Sequence, residues 1–225
     1  MQLQESTIQL LKNFASINGN LMINAGNELT TISESKTILA KTELEESFPQ
    51  DFAIYDTSDF LTCVSLLTDP VLEFQDTHVI IKSDGRKIKY FYSDPELLKT
   101  PPEGSFDKLS SALSDESDNI VIRLTQAQYA ELNSAARILK GSSLSFRGED
   151  GSITASLTEK DNSTSNTFSV TLSDYDGDDF SFSLDINQMK ILAGDYEITA
   201  SRSKPLSRFK NLNTNLIYYI PLDKA

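Results

Sequence analysis

ESTIQLLKNFASI, residues Glu5 to Ile17, decides how the chain is read. Ile8, Leu11 and Ala15 form one apolar row at helical spacing, and Leu10, Phe14 and Ile17 form a second beside it. That is the pattern of an amphipathic helix. The opposite face carries Gln9, Lys12, Asn13 and Ser16, neutral but for one cation. Such a face suits an ordinary core helix with a solvated side, and equally a helix turned toward a large anion such as DNA. Recurrence decides between them, because the chain makes this kind of helix again.

A second helix is predicted in DTSDFLTCVSLL, capped by Asp56, with Phe60, Val64 and Leu67 in its apolar row. A third lies in TQAQYAELNSAARILK, capped by Thr125, with Tyr129, Leu132, Ala136 and Leu139 in line. A short fourth, DINQMKIL, is capped by Asp185. Strands fill the intervals. A short one precedes the first helix, and others fall at 21–25, 28–32, 37–44 and 51–55. VLEF, HVIIK and KIKYFY follow, the last two joined by a Ser-Asp-Gly-Arg turn. The second half repeats the order with 119–124, SLSFRG, SITASLT, TFSVTLS, DFSFSL, DYEITAS, SRFKN and LIYYI. Sliding it back by 121 to 129 residues lays helix on helix and residues 217–220 on residues 89–92. One strand–helix–three-strand unit is thus written four times. The fold class expected is α+β: two similar domains at 1–92 and 119–225, joined by a connector at 93–118. The connector holds Pro95, Pro101, Pro102 and a Ser/Asp/Glu run. Leu97, Leu98, Phe106, Leu109 and Leu113 are expected to dock parts of it.

Composition narrows the function. The 225 residues are 39% hydrophobic, enough for real cores, and the net charge is −13. That charge argues against a protein that coats nucleic acid with its whole surface. Cys63 is alone, so no disulfide framework exists, and a buried structural thiol in a reducing compartment is expected. No apolar run approaches the roughly 20 residues of a membrane span, and the opening MQLQESTIQ lacks the pattern of a signal peptide. His78 is the one histidine, so a His-based triad or metal cluster lacks parts. DYDGDD at 174–179 lacks the residue order and closing Glu of a calcium loop and reads as a turn. No metal, cofactor or catalytic activity is expected.

The segments LLKNFASINGNLMINAGNELTTIS, DFAIYDTSDFL and LSDYDGDDFSF, with the short helix before AGDYEI, closely resemble the sliding clamps of T4-like bacteriophages. The resemblance implies a DNA-clamp fold and a homotrimeric ring around duplex DNA. Twelve helices would line the pore, with antiparallel sheets outside. It also implies a replicative polymerase tethered by its C-terminal peptide, a clamp loader, a possible part for late transcription factors, no membrane, and the cytoplasm of an infected bacterium.

A ring that holds DNA by topology needs only a weakly basic inner surface. Its acidic excess can lie outside, beyond a Debye length of about 8–10 Å. Lys12, Arg137, Lys140 and Lys190 are the expected DNA-facing residues of the helices, and Arg202, Lys204, Arg208 and Lys210 those of a predicted hairpin. Each also fits a solvated surface charge. The second helix has no Lys or Arg and carries Asp56 and Asp59.

By the resemblance, Ile88, Tyr90 and Tyr92 should meet Phe168, Val170 and Leu172 of the next subunit by pairing of strand edges. Pro205, Leu206, Ile220, Pro221 and Leu222 should form the partner-peptide pocket, or else cap a terminal strand. The rival class is an acidic, all-β-rich structural protein of a virion. Four matched helix faces argue against it.

Overall fold

In the computed structural model, which describes residues 1–160, 162 and 164–223, the opening stretch is helix α1 (Glu5–Ile17). Its buried face is Thr7, Leu11, Phe14 and Ile17, successive steps of four, three and three residues that keep one side of a 3.6-residue turn inward. Ile8, Leu10 and Ala15 flank this seam half-buried, and Lys12 is exposed.

The chain divides into two compact units, Met1–Glu103 and Gly104–Ala225, so the boundary falls inside the expected connector. In the first unit α1 is followed by β1 (Leu21–Ile23), β2 (Gly26–Ile32), β3 (Leu39–Phe48), β4 (Phe52–Ile54), α2 (Thr57–Ser65), β5 (Val71–Phe74), β6 (His78–Ser83) and β7 (Arg86–Phe91). Strands β1 and β4 pair antiparallel, as do β2 and β3, and β5-β6-β7 is an antiparallel meander. The predicted turn closes β6–β7 with Asp84 and Gly85 at φ 45° and 75°, both left-handed, as a tight type I′ hairpin demands. No side chain at Gln4 caps α1. Instead the Glu46 carboxylate on β3 accepts from the Gln4 amide (2.5 Å) and the Thr7 hydroxyl (2.6 Å). The Asp56 carboxylate accepts from the Asp59 amide and caps α2 as expected.

The second unit runs α3 (Ser105–Ala112), β8 (Asn119–Leu124), α4 (Gln126–Leu139), β9 (Ser143–Glu149), β10 (Ser152–Thr158), β11 (Phe168–Asp174), β12 (Phe180–Asp185), β13 (Tyr196–Ser201), β14 (Leu206–Asn211) and β15 (Ile217–Pro221). Thr125 and Gln128 make a full capping box at the start of α4. The second unit repeats the strand pairing of the first. β9–β12 repeats β1–β4, β10–β11 repeats β2–β3, and β13-β14-β15 repeats β5-β6-β7. Where β8 pairs with β13, the first unit has only Met1 exchanging two hydrogen bonds with Leu72 (2.8 and 2.7 Å). The expected N-terminal strand is therefore a single bridge.

The expected fourth helix is also absent. Residues Ile186–Gln188 make one 3-10 turn. Tyrosine hydroxyls take the backbone groups that a helix would pair internally. Tyr129 donates to the Met189 carbonyl (2.7 Å), Tyr196 donates to the Leu192 carbonyl (2.7 Å), and the Leu192 amide donates to Tyr218 (3.0 Å). Burial pushes the Tyr196 phenol up to about 12 and raises that of Tyr218 too, so both act here as neutral groups. Lys190 thus sits on a pinned loop.

The connector contains α3, a helix not foreseen. Of its expected anchors Leu113 is buried, Leu98, Phe106 and Leu109 are half-buried, and Leu97 is exposed. Cys63 is half-buried on α2, not fully enclosed.

Candidate nucleic-acid and partner surfaces

The eight predicted cations separate into distinct groups. Lys12 is exposed on α1, and Arg137 is exposed on α4 with its Nε donating to the Asn133 carbonyl (3.4 Å). Lys140 ends α4 in the left-handed conformation (φ 56°). Within the second unit, Asn133, Arg137, Lys140 and Asn187 line a polar cleft of about 480 Å³ between α4 and the 3-10 turn. Lys190 is exposed just beyond that turn.

The hairpin cations stand elsewhere. On β14, Ser207, Phe209 and Asn211 are buried, and the Phe209 ring packs 6.4 Å from Tyr196. Tyr129 of α4 lies on this same side, near Tyr196. Strand alternation therefore turns Arg208 and Lys210 to the other side of the sheet, away from α4. Tyr219, across from Arg208, meets Phe106 of α3 there at 6.2 Å. Arg208 and Lys210, expected to face DNA from the hairpin, therefore stand on the side of the sheet away from the α4 cations. Arg202 and Lys204 lie at the β13–β14 turn and bind the chain itself. Arg202 donates to the Asp178 and Asp179 carbonyls, and Lys204 to that of Ala112. Asp118 holds the same turn by accepting from Ser201 and Ser203.

Two sheets end in strands with one side open among the described residues. β7 closes the order β5-β6-β7, and β11 opens the order β11-β10-β9-β12. Ile88 and Tyr90 are the half-buried residues of β7, and Phe168, Val170 and Leu172 those of β11. Tyr90 rests on Phe60 at 5.3 Å, and Tyr92, just past β7, rests on Phe52 at 5.3 Å. Beside β11 an apolar groove of about 560 Å³ runs along α4, lined by Ala135, Ile138, Leu139 and Phe168. Ile138 is 78% exposed, a groove residue that the sequence reading passed over because it stands off the core row.

Four of the five predicted pocket residues meet at the end of the β14–β15 hairpin. Leu206 pairs with Pro221, and the Leu222 amide donates to the Pro205 carbonyl (3.1 Å). Ile220 is fully buried and belongs to the core, because it shares the inward parity of Tyr218. Pro205 and Leu222 line a cleft of about 570 Å³ with Ile120, Phe180 and Phe182, and Arg202 and Lys204 stand at its rim. Leu206 and Pro221 do not line it. The alternation in DFSFSL was a signal for the two phenylalanines. What they meet could not be read from it.

The fold is that of solved beta clamps and of Proliferating Cellular Nuclear Antigen. The Helicobacter pylori beta clamp bound to a DNA ligase peptide aligns with TM-score 0.69 at 11% identity, covering 100% of this chain and 65% of that one. This chain therefore spans about two thirds of the bacterial subunit's length. The Proliferating Cellular Nuclear Antigen of Entamoeba histolytica aligns with TM-score 0.64 at 14% identity, covering 97% and 95%.

The family follows from sequence. Residues 4–94 match the DNA polymerase processivity factor family and residues 121–223 match the C-terminal domain of the gp45 sliding clamp. The sliding clamp of Vibrio phage KVP40 is 32% identical over 98% of both chains, and that of Enterobacteria phage T4 is 25% identical over 100% of this chain and 99% of that one. The chain belongs to the sliding clamp family of DNA polymerase processivity factors. Membership sets aside the virion structural reading.

Proposed function

We propose that three copies of this chain close a ring around duplex DNA and hold a replicative polymerase to its template without chemistry of their own. The observation that carries the reading is the pair of open edges. β7 and β11 present alternate apolar residues, and each pairs with a strand on one side only among the described residues. Pairing β7 of one subunit with β11 of the next is a head-to-tail contact, which closes into a ring when its rotation fits. It also removes two edges that would otherwise invite aggregation.

In this reading Lys12, Arg137, Lys140 and Lys190 meet phosphates. Arg202 and Lys204 instead shape the partner cleft, and Arg208 and Lys210 have no part in the pore. The Pro205–Leu222 cleft takes a short apolar peptide from the end of the polymerase. The clamp loader, which must open the ring, and late transcription factors compete for the same cleft. The setting is the cytoplasm of an infected bacterium.

Two measurements test this. Sedimentation should give about 75 kDa, three times the 25.0 kDa chain. Replacing Lys12, Arg137 and Lys190 together by Glu should leave that mass unchanged and cut primer extension per binding event. Unaltered processivity in the triple variant removes these residues from the pore, and a stable monomer at high concentration removes the ring.

A further inference from the structure

The outward side of the β5-β6-β7 meander is unlike the rest of this acidic chain. Strand parity turns Val71 and Glu73, then His78, Ile80 and Lys82, then Lys87, Lys89 and Phe91 to one face. The register sets Lys82 directly opposite Lys87, Ile80 opposite Lys89, and His78 opposite Phe91. Like charges in opposed positions destabilise a strand pair, and among the described residues the carboxylate paired with these lysines is Glu73, bound to Lys82. Phe91 is 62% exposed, with His78 5.6 Å from its ring and the Lys89 ammonium 4.6 Å from its centre. An exposed aromatic ring beside a surplus of two positive charges is complementary to a partner that brings carboxylates and an apolar side chain together.

We propose that this sheet face docks an acidic peptide segment of a partner protein, with carboxylates on Lys82, Lys87 and Lys89 and an apolar side chain on Phe91 and Ile80. A polynucleotide fits less well. The face measures only about 20 Å by 10 Å from strand geometry. Exposed Asp69 and Asp84 lie at one end of the strands and exposed Asp76 at the other, so a longer polyanion would meet repulsion on leaving. A short peptide ends within the face. Ile80 and Val71 also offer an apolar floor that phosphates cannot use. The inference does not depend on ring closure or on the Pro205–Leu222 cleft.

His78 is the sole histidine of the chain, so its imidazole signals report on this face in the unaltered protein. The probe is a fluorescein-labelled hexapeptide of alternating Glu and Leu, about 20 Å long when extended and so no longer than the face, with labelled dodecathymidylate as the longer polyanion beside it, both at low salt. The peptide should shift the His78 signals, and Lys87→Gln with Lys89→Gln should weaken it at least tenfold while the sedimenting mass stays the same. Peptide binding that leaves His78 unmoved, the absence of binding, or equal binding to the double variant overturns the proposal. Should dodecathymidylate move His78 at lower concentration than the peptide, the face is a nucleic-acid surface and the peptide reading fails. If the double variant does not fold, the His78 shifts of the unaltered protein decide alone.

Discussion

Gly148 on β9 lies opposite Phe180 of β12, which lines the Pro205–Leu222 cleft. A Cβ added at Gly148 falls 2.2 Å from one ring carbon of Phe180 and 2.7 and 2.9 Å from two others. Carbon atoms pack at about 3.5–4.0 Å, so in Gly148→Ala the ring must retreat by more than about 1 Å. It has little freedom to do so. Phe180 is 8% exposed, with Phe182 stacked at 5.8 Å and Tyr175 edge-on at 5.3 Å. Overpacking of this kind costs about 1–3 kcal/mol. In a chain of this size, each kcal/mol lowers the thermal midpoint by about 2–4 °C. The displaced ring should also narrow the cleft and weaken binding of a polymerase C-terminal peptide. Calorimetric melting and peptide titration of Gly148→Ala would be run beside Gly19→Ala, whose added Cβ meets nothing within 4 Å. If the two variants melt together and bind alike, the close approach of Gly148 and Phe180 does not govern the cleft.

Phe168→Asp or Tyr90→Asp should convert the 75 kDa species into a 25.0 kDa monomer, because an unpaired charge buried at a sheet edge costs several kcal/mol; a trimeric mass in either variant puts the interface elsewhere. Leu222 is only 8% exposed in the free chain, so Leu222→Ala should weaken peptide binding by reshaping the cleft wall rather than by removing exposed area, with the ring mass unchanged, and full-strength binding in calorimetry would take Leu222 out of the cleft. Hydrogen bonds from the Ser201 and then the Ser203 hydroxyl hold the Asp118 carboxyl below the usual aspartate range. The folded chain therefore binds this proton less readily than the unfolded one. The stability contributed by Asp118 is present above the ordinary aspartate value and lost as pH falls through the lowered one. Carbon NMR of the carboxyl should place its midpoint below that of a free aspartate, and an ordinary midpoint would show the Ser201–Asp118–Ser203 clasp to be open in solution.

Much of the fold was legible because its causes are local. Helix α1, the Asp56 cap, the Thr125 cap and the Ser83–Arg86 turn each depend on residues within a few positions, and each appears where the pattern put it, though Thr7 replaces Ile8, Leu10 and Ala15 in the fully buried seam of α1. The doubling of the order was legible too, since a repeated local pattern makes a repeated element. Other outcomes were set by groups distant along the chain. DINQMKIL carries helical spacing, yet it makes only one 3-10 turn because hydroxyls from Tyr129, Tyr196 and Tyr218 take its backbone groups. Arg208 and Lys210 were expected to face DNA as Arg137 does, but the parity of β14 relative to the Phe209 core turns them to the side away from α4. Pro205 and Leu222 were named from sequence. Their companions Ile120, Phe180 and Phe182 come from two other strands. Periodicity along a strand says that two side chains share a face. What lies across from that face is decided by pairing over long sequence separations, where hydrophobic burial and hydrogen-bond satisfaction choose among arrangements that the local pattern leaves equal.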